Sequence, residues 1–346
     1  MKKLFIHIIL SLSVFLMNAQ DLHFSQFYSV PVLVNPAEAG RLKEDSRFTF
    51  IHRTQWASLN SKFNSTGIST DFVVMPSFMK RDNLGLGIYA VNDNIGSGVF
   101  KSSSVYISLA YHTFLDRVKR HRLSGGLQAG YTSKAVDDTY FQFYNQYQDF
   151  AFVPDKASGE NLNGFNYHYF DGQAGLYYSY LISQKAELNA GTSLYQLHQP
   201  KESVLTPLDS TKNKLGTRTI NTLGLKYKLS DKFSVNPQML YMRQSRATDV
   251  NIGSLAIYTL NSDAPINLVG GIFYRTSDAL IFLAGIRYKS LEIRYSYDMT
   301  MSSAKKMRGA LNATNKPVNA HEFVLNFYGK LARKNSRDYT LPCTIF

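Results

Sequence analysis

Beyond residue 45 the chain repeats one pattern about fourteen times: ten to fourteen residues of alternating apolar and polar side chains, then a break. In Thr222–Ser230, Leu223, Leu225, Tyr227 and Leu229 share one face, while Thr222, Gly224, Lys226, Lys228 and Ser230 share the other. In Leu291–Met299 the split is Leu291, Ile293, Tyr295, Tyr297 and Met299 against Glu292, Arg294, Ser296 and Asp298. A period of two belongs to a β-strand, because successive side chains leave opposite faces. Only apolar groups on one face and charges on the other suit a wall between lipid and water. That is the pattern of an outer-membrane β-barrel.

The predicted strands are 46–56, 64–75, 83–93, 102–114, 121–133, 168–181, 185–196, 217–230, 232–243, 249–260, 266–275, 279–288, 290–300 and 321–331. Each is long enough for a tilted strand to cross the hydrocarbon core, which takes about 9–11 residues. The links after even-numbered strands are short, including 115–120, 183–184, 230–231 and 289–290. The long links, 134–167, 197–216 and 301–320, follow strands five, seven and thirteen and so all fall on one side. Bacterial barrels have short periplasmic turns and longer outer loops, and an even strand count returns both ends to the periplasm. A soluble sandwich or propeller would show neither this sidedness nor a charged inward stripe. The expected fold is all-β: a single 14-stranded antiparallel transmembrane barrel over 46–331 in the outer membrane, in contact with its lipid.

Residues 1–20 read as a secretory signal, with Lys2 and Lys3 before the apolar run Leu4–Met17. That run is 14 residues, short of the roughly 20 a membrane helix needs. The mean hydropathy of −0.21 would suggest a soluble protein, but inward polar residues dilute every strand of a barrel. The 23 Tyr and 23 Phe fit a membrane protein, since an aromatic ring with a polar tip favours the membrane–water boundary. The net charge of +13 is spread along an exported chain, so acidic lipid, glycan or protein is a better partner for it than nucleic acid. Cys343, the only cysteine, excludes an intramolecular disulfide and leaves a buried thiol or a cross-link to a partner.

Residues 21–45 precede the first strand and 332–346 form a C-terminal tail. Within 21–40, Phe24, Phe27, Tyr28, Val32 and Leu33 are too apolar for a solvated tail, and Pro31 and Pro36 deny the stretch a long helix or a strand. An irregular plug in or under the periplasmic mouth is expected. His23-Phe-Ser-Gln-Phe-Tyr28, Asn35-Pro-Ala37 and Arg53-x-Gln-Trp56, with Tyr295–Ser302 and His321-Glu-Phe-Val-Leu325 at the far end, give the chain a strong resemblance to the PorP/SprF family of the type IX secretion system. It implies an outer-membrane barrel needed for surface delivery of a particular cargo, often an adhesin-like protein, with other type IX secretion components nearby. The tail Pro342-Cys343 departs from the Cys-Pro order usual in such proteins.

No catalytic, cofactor or metal site is expected. His321-Glu322 begins a zinc-protease pattern, but Leu325 stands where the second His is needed. Gly85-x-Gly87 lies in a strand without a helix start, so its glycines are read as easing barrel curvature. The candidate partner-binding or plug residues are His23, Phe24, Phe27, Tyr28, Asn35 and Pro36, with Tyr140, Phe141, Phe143, Tyr144, Tyr147 and Phe150 in the long loop after strand five. The loop aromatics either mark an interaction surface or pack on one another over the mouth. Lys226, Lys228, Glu292, Arg294 and Asp298 are expected to face the lumen and to neutralise one another across it. The alternative function is a FadL-like channel for a hydrophobic small molecule, which also needs an N-terminal plug.

Overall fold

The computed structural model describes residues 24–330, apart from 59–61, 76–81, 97–98, 138–140, 149–150, 154, 158, 160–165, 202–213, 261–265 and 303–317. The strands are β1 Ser46–Gln55, β2 Phe63–Met75, β3 Asn83–Ile95, β4 Phe100–Phe114 and β5 His121–Val136, then two short ones, β6 Tyr147–Gln148 and β7 Ala151–Phe152. The wall resumes with β8 Asn166–Ser183, β9 Ala186–Tyr195, β10 Arg218–Lys228, β11 Phe233–Gln244 and β12 Ala247–Thr259. It ends with β13 Ile266–Arg275, β14 Ala279–Tyr288, β15 Leu291–Thr300 and β16 Ala320–Gly329. Fourteen of these form one closed antiparallel barrel, and β6 and β7 form a separate hairpin in the loop between β5 and β8. Closure comes from β1, which pairs with β2 on one side and with β16 on the other, from Ser46↔Gly329 to Gln55↔Ala320.

The alternation carries through to burial. In β4, Val105, Ile107 and Leu109 are exposed on the outside while Tyr106, Ser108 and Ala110 are buried inside. In β15, Leu291, Ile293 and Tyr295 face out, and Glu292, Ser296 and Asp298 are buried. The outer surface is therefore a lipid-facing apolar belt. Aromatic rings edge it, with Tyr227, Tyr258, Tyr288 and Phe327 near one rim and Tyr131, Phe170 and Tyr274 toward the other, where amphipathic rings favour the interface.

The links 115–120, 184–185, 229–232 and 289–290 gather at the rim where β1 starts and β16 ends. The longer intervals, between β5 and β8, β9 and β10, and β15 and β16, follow strand ends at the opposite rim. By the loop-length rule the first rim is periplasmic and the second faces out of the cell. The strands match the sequence reading to within a few residues at their ends. β8 runs longer than expected, and the hairpin β6–β7 was not anticipated.

Candidate functional site: the plug and its two chambers

The segment from Phe24 to Leu42 runs inside the barrel instead of lying beneath it, and most of it is buried. It advances through three short turns, a 3-10 turn at Phe27–Ser29, one α-helical turn at Pro31–Val34 and a 3-10 turn at Pro36–Glu38. Pro31 and Pro36 each open a turn, where a missing N–H does no harm. Asn35 caps the last one by accepting a hydrogen bond from the Ala37 amide at 2.9 Å.

The outer end of the plug is held by charge. The amides of Ser25 and Gln26 both donate to the Glu322 carboxylate at 2.8 Å. The Ser25 hydroxyl donates to Asp298 at 2.5 Å. Arg53 pairs with Asp298 at 3.0 Å and Glu322 at 3.3 Å, and Arg275 pairs with Asp298 at 2.7 Å. These four wall residues are buried and lie near the outward-facing ends of β1, β13, β15 and β16. A chain with no regular structure of its own must place its polar backbone somewhere, and here wall side chains take it up. Further along, Tyr195 donates to the Leu33 carbonyl at 2.9 Å and Ser193 to that of Val34 at 2.7 Å. Asn35 donates to the carbonyls of Leu176 and Thr192.

The inner end relies on close approach. A Cβ on Gly85 would lie 2.0 Å from the Ala39 carbonyl oxygen, and one on Gly126 would lie 2.4 Å from the Ala37 nitrogen. Gly85 therefore makes room for the plug; easing of barrel curvature is not its main work here. His112 lies 2.8 Å from the Ala39 carbonyl and so donates to it, and the Gly40 amide donates to Asp71. Arg41 donates to Glu187 at 3.0 Å and Asn189 at 2.8 Å and lies over the Tyr177 ring. The segment thus crosses the lumen from the outer third, at Ser25, to the periplasmic rim, at Glu44 and Arg287, 2.6 Å apart.

Two chambers are bounded by the described residues. The outer one, about 390 Å³, has Phe24, Phe27, Leu33 and Val34 of the plug as its floor, and Tyr89, Tyr106, Ile220, Leu240 and Met242 in its walls. The inner one, about 710 Å³, is bounded by plug residues from Phe27 to Arg41, by Lys43, Glu44 and Arg47 at the start of the wall, and by β8 to β16. It contains Lys226, Lys228, Glu292 and Arg294.

Of the expected plug residues, Phe24, Phe27, Tyr28, Asn35 and Pro36 are all in the lumen, Tyr28 stacked on Phe273 at 5.5 Å; His23 lies outside the described residues. In the outer loop, Tyr140 and Phe150 also lie outside them. Phe141 and Phe143 meet edge to face at 6.3 Å, Tyr147 packs on Phe152 at 5.8 Å, and Tyr144 is 92% exposed. Some of the loop rings thus pack on one another, while Tyr144 stands clear of them. The lumen charges face inward, but Lys226 and Lys228 do not pair with Glu292 or Asp298. Lys226 lies 3.9 Å from Glu187, its direct neighbour in the β9–β10 register, and Lys228 lies 3.2 Å from Asp231. Glu292 pairs with Arg294, and Asp298 with Arg53 and Arg275. Each charge thus finds its partner on its own strand or link or within two strands of it, not across the lumen.

Ser25, Gln26, Arg275 and Glu322 escaped the sequence reading as a unit. Inward parity and the motif blocks around Ser25, Arg53 and Glu322 were the available clues. No group of three or more His, Cys, Asp or Glu that could hold a metal occurs among the described residues.

Several solved barrels are similar in shape. The toluene transporter TbuX of Ralstonia pickettii is 13% identical, with a TM-score of 0.49 over 87% of this chain and 93% of that one. A FadL homologue of Pseudomonas aeruginosa is 10% identical, with a TM-score of 0.48 over 84% of this chain and 91% of that one. What those proteins carry is not transferred to this chain. No curated protein is a significant match. The family model for the type IX secretion system membrane protein PorP/SprF, in contrast, matches residues 16–327. The chain therefore belongs to the PorP/SprF family and is an outer-membrane component of the type IX secretion system.

Proposed function

We propose that this barrel binds or anchors one secreted, adhesin-like cargo protein at the cell surface through its outer face. The observation that carries the reading is the plug: its backbone is hydrogen-bonded to the wall at both ends, so it obstructs the lumen between the two chambers, as suits a support for its rims. The outer rim offers what a protein partner uses, an exposed Tyr144 beside a hairpin of aromatics and an apolar cup beneath. The proposal includes no catalytic step. Deleting residues 138–152 is expected to abolish surface retention of one secreted protein while the barrel still shows heat-modifiable migration. Unchanged retention of every surface protein would sink the reading.

The apolar outer chamber also fits the second reading, a channel for a hydrophobic small molecule. That reading requires the plug to leave the wall during transport. Substituting the loop would then leave cargo untouched, while fixing the plug by a disulfide to the wall would stop uptake.

A further inference from the structure

We propose that the inner chamber is a binding site for an acidic peptide segment of a periplasmic protein. This does not depend on what the outer face binds. The chamber, at about 710 Å³, falls within the ordinary range of ligand sites. Nine lysines and arginines line it against four carboxylates, and two more carboxylates just outside the lining, Glu187 and Asp71, pair with Arg41, Lys226 and Arg47. All four carboxylates are engaged: Glu44 with Arg287, Glu292 with Arg294, Glu38 with Arg41 and Asp231 with Lys228. The surplus is cationic, and Lys43 and Lys232 have no ion-pair partner among the described residues and are exposed.

The spacing of the surplus separates a peptide from a small anion. Lys232 stands in the β10–β11 link and Lys289 in the β14–β15 link, four strand spacings apart along the wall. At about 4.8 Å per strand that is roughly 19 Å of arc, too wide for one phosphate and suited to successive carboxylates on an extended chain. Lys43, just past the plug segment, and the Tyr28 hydroxyl, which has no hydrogen-bond partner among the described residues, line the same space. The position separates a peptide from lipid. Lys43, Lys232 and Lys289 all line the chamber, Lys289 at its periplasmic mouth with its ammonium 5.0 Å from the ring of the outward-facing Tyr288, whereas headgroups of the surrounding bilayer reach only the outside of the rim. Arg117, Lys119, Arg120, Lys185 and Lys330 extend the positive surface around the rim, so an acidic chain is attracted before it enters.

The test uses the full-length protein in detergent micelles and fluorescein-labelled hexaglutamate, read by fluorescence anisotropy. Binding is expected, weakened about tenfold or more by the double substitution Lys43→Glu and Lys232→Glu. The rim substitutions Arg117→Glu and Arg120→Glu should change it by no more than about twofold. Hexaglutamine is expected not to bind. Heat-modifiable migration checks that each variant is folded, and Lys43→Gln with Lys232→Gln replaces the reversal if it is not. Absence of hexaglutamate binding would overturn the proposal. So would equal weakening by the rim and chamber substitutions, which is the pattern of unspecific attraction. Displacement of the peptide by inorganic phosphate, or by phosphatidylglycerol vesicles, at matched charge concentration would overturn it in favour of those anions.

Discussion

The two chambers are cut from the same fourteen strands and share one plug, yet one is apolar and the other basic. The outer chamber is floored by Phe24, Phe27, Leu33 and Val34, and the inner one is lined by Lys43, Lys226, Lys228, Arg287 and Arg294. The difference comes from where each strand places its inward residues. On β10, Ile220 near the outer end and Lys226 near the periplasmic end obey the same parity but different chemistry. Parity fixes which side a residue faces, and position along the strand fixes which partner it can meet. The plug follows the same division. Charge holds its outer end, and glycines admit its inner end.

The largest effect is expected where the plug meets buried charge. Glu322→Ala leaves Arg53 half-paired and the amides of Ser25 and Gln26 without an acceptor. Removing one partner from a buried ion pair costs about 3–5 kcal/mol, read as a lower urea midpoint in detergent. A variant as stable as the parent would show that the outer end is not held in this way.

Gly85→Ala probes the other end. Its Cβ would meet the Ala39 carbonyl at 2.0 Å, so the plug must shift, at a cost of about 1–3 kcal/mol. If the substitution is neutral in the same urea titration, the plug does not lie against β3. The smallest change is expected on the outer loop. Tyr144→Ser removes a ring that is 92% exposed, and the midpoint should move by less than about 0.5 kcal/mol in equivalent free energy. A large loss would mean that the loop folds down onto the mouth, which would weaken the case for it as a contact surface.

The barrel was legible because its pattern is local: alternation at a period of two reports the two faces of each strand, and link lengths report sidedness. The plug was legible in part, since Phe24, Phe27 and Val32 are costly to leave in water, at roughly 1.5–3 kcal/mol each. Its path was not. Gln26 meets Glu322 across 296 positions of sequence, and no periodicity reports such a contact. In the sequence Glu322 shows only as part of the His321–Leu325 block, and its actual work, accepting two plug amides, needs the closed β1–β16 seam. The partners of Lys226 and Lys228 were misread for a related reason. Cross-lumen pairing with Glu292 or Asp298 was expected, but Glu187 stands directly opposite Lys226 on the neighbouring strand, and Asp298 lies at the other end of the barrel.

The central claim is that residues 24–42 block the lumen and make the barrel a support for its two faces. Conductance across planar bilayers tests it most directly, comparing the full chain with a variant lacking residues 24–42. The account predicts little or no conductance for the full chain and large, stable steps for the deletion variant. Equal conductance from the two would contradict it.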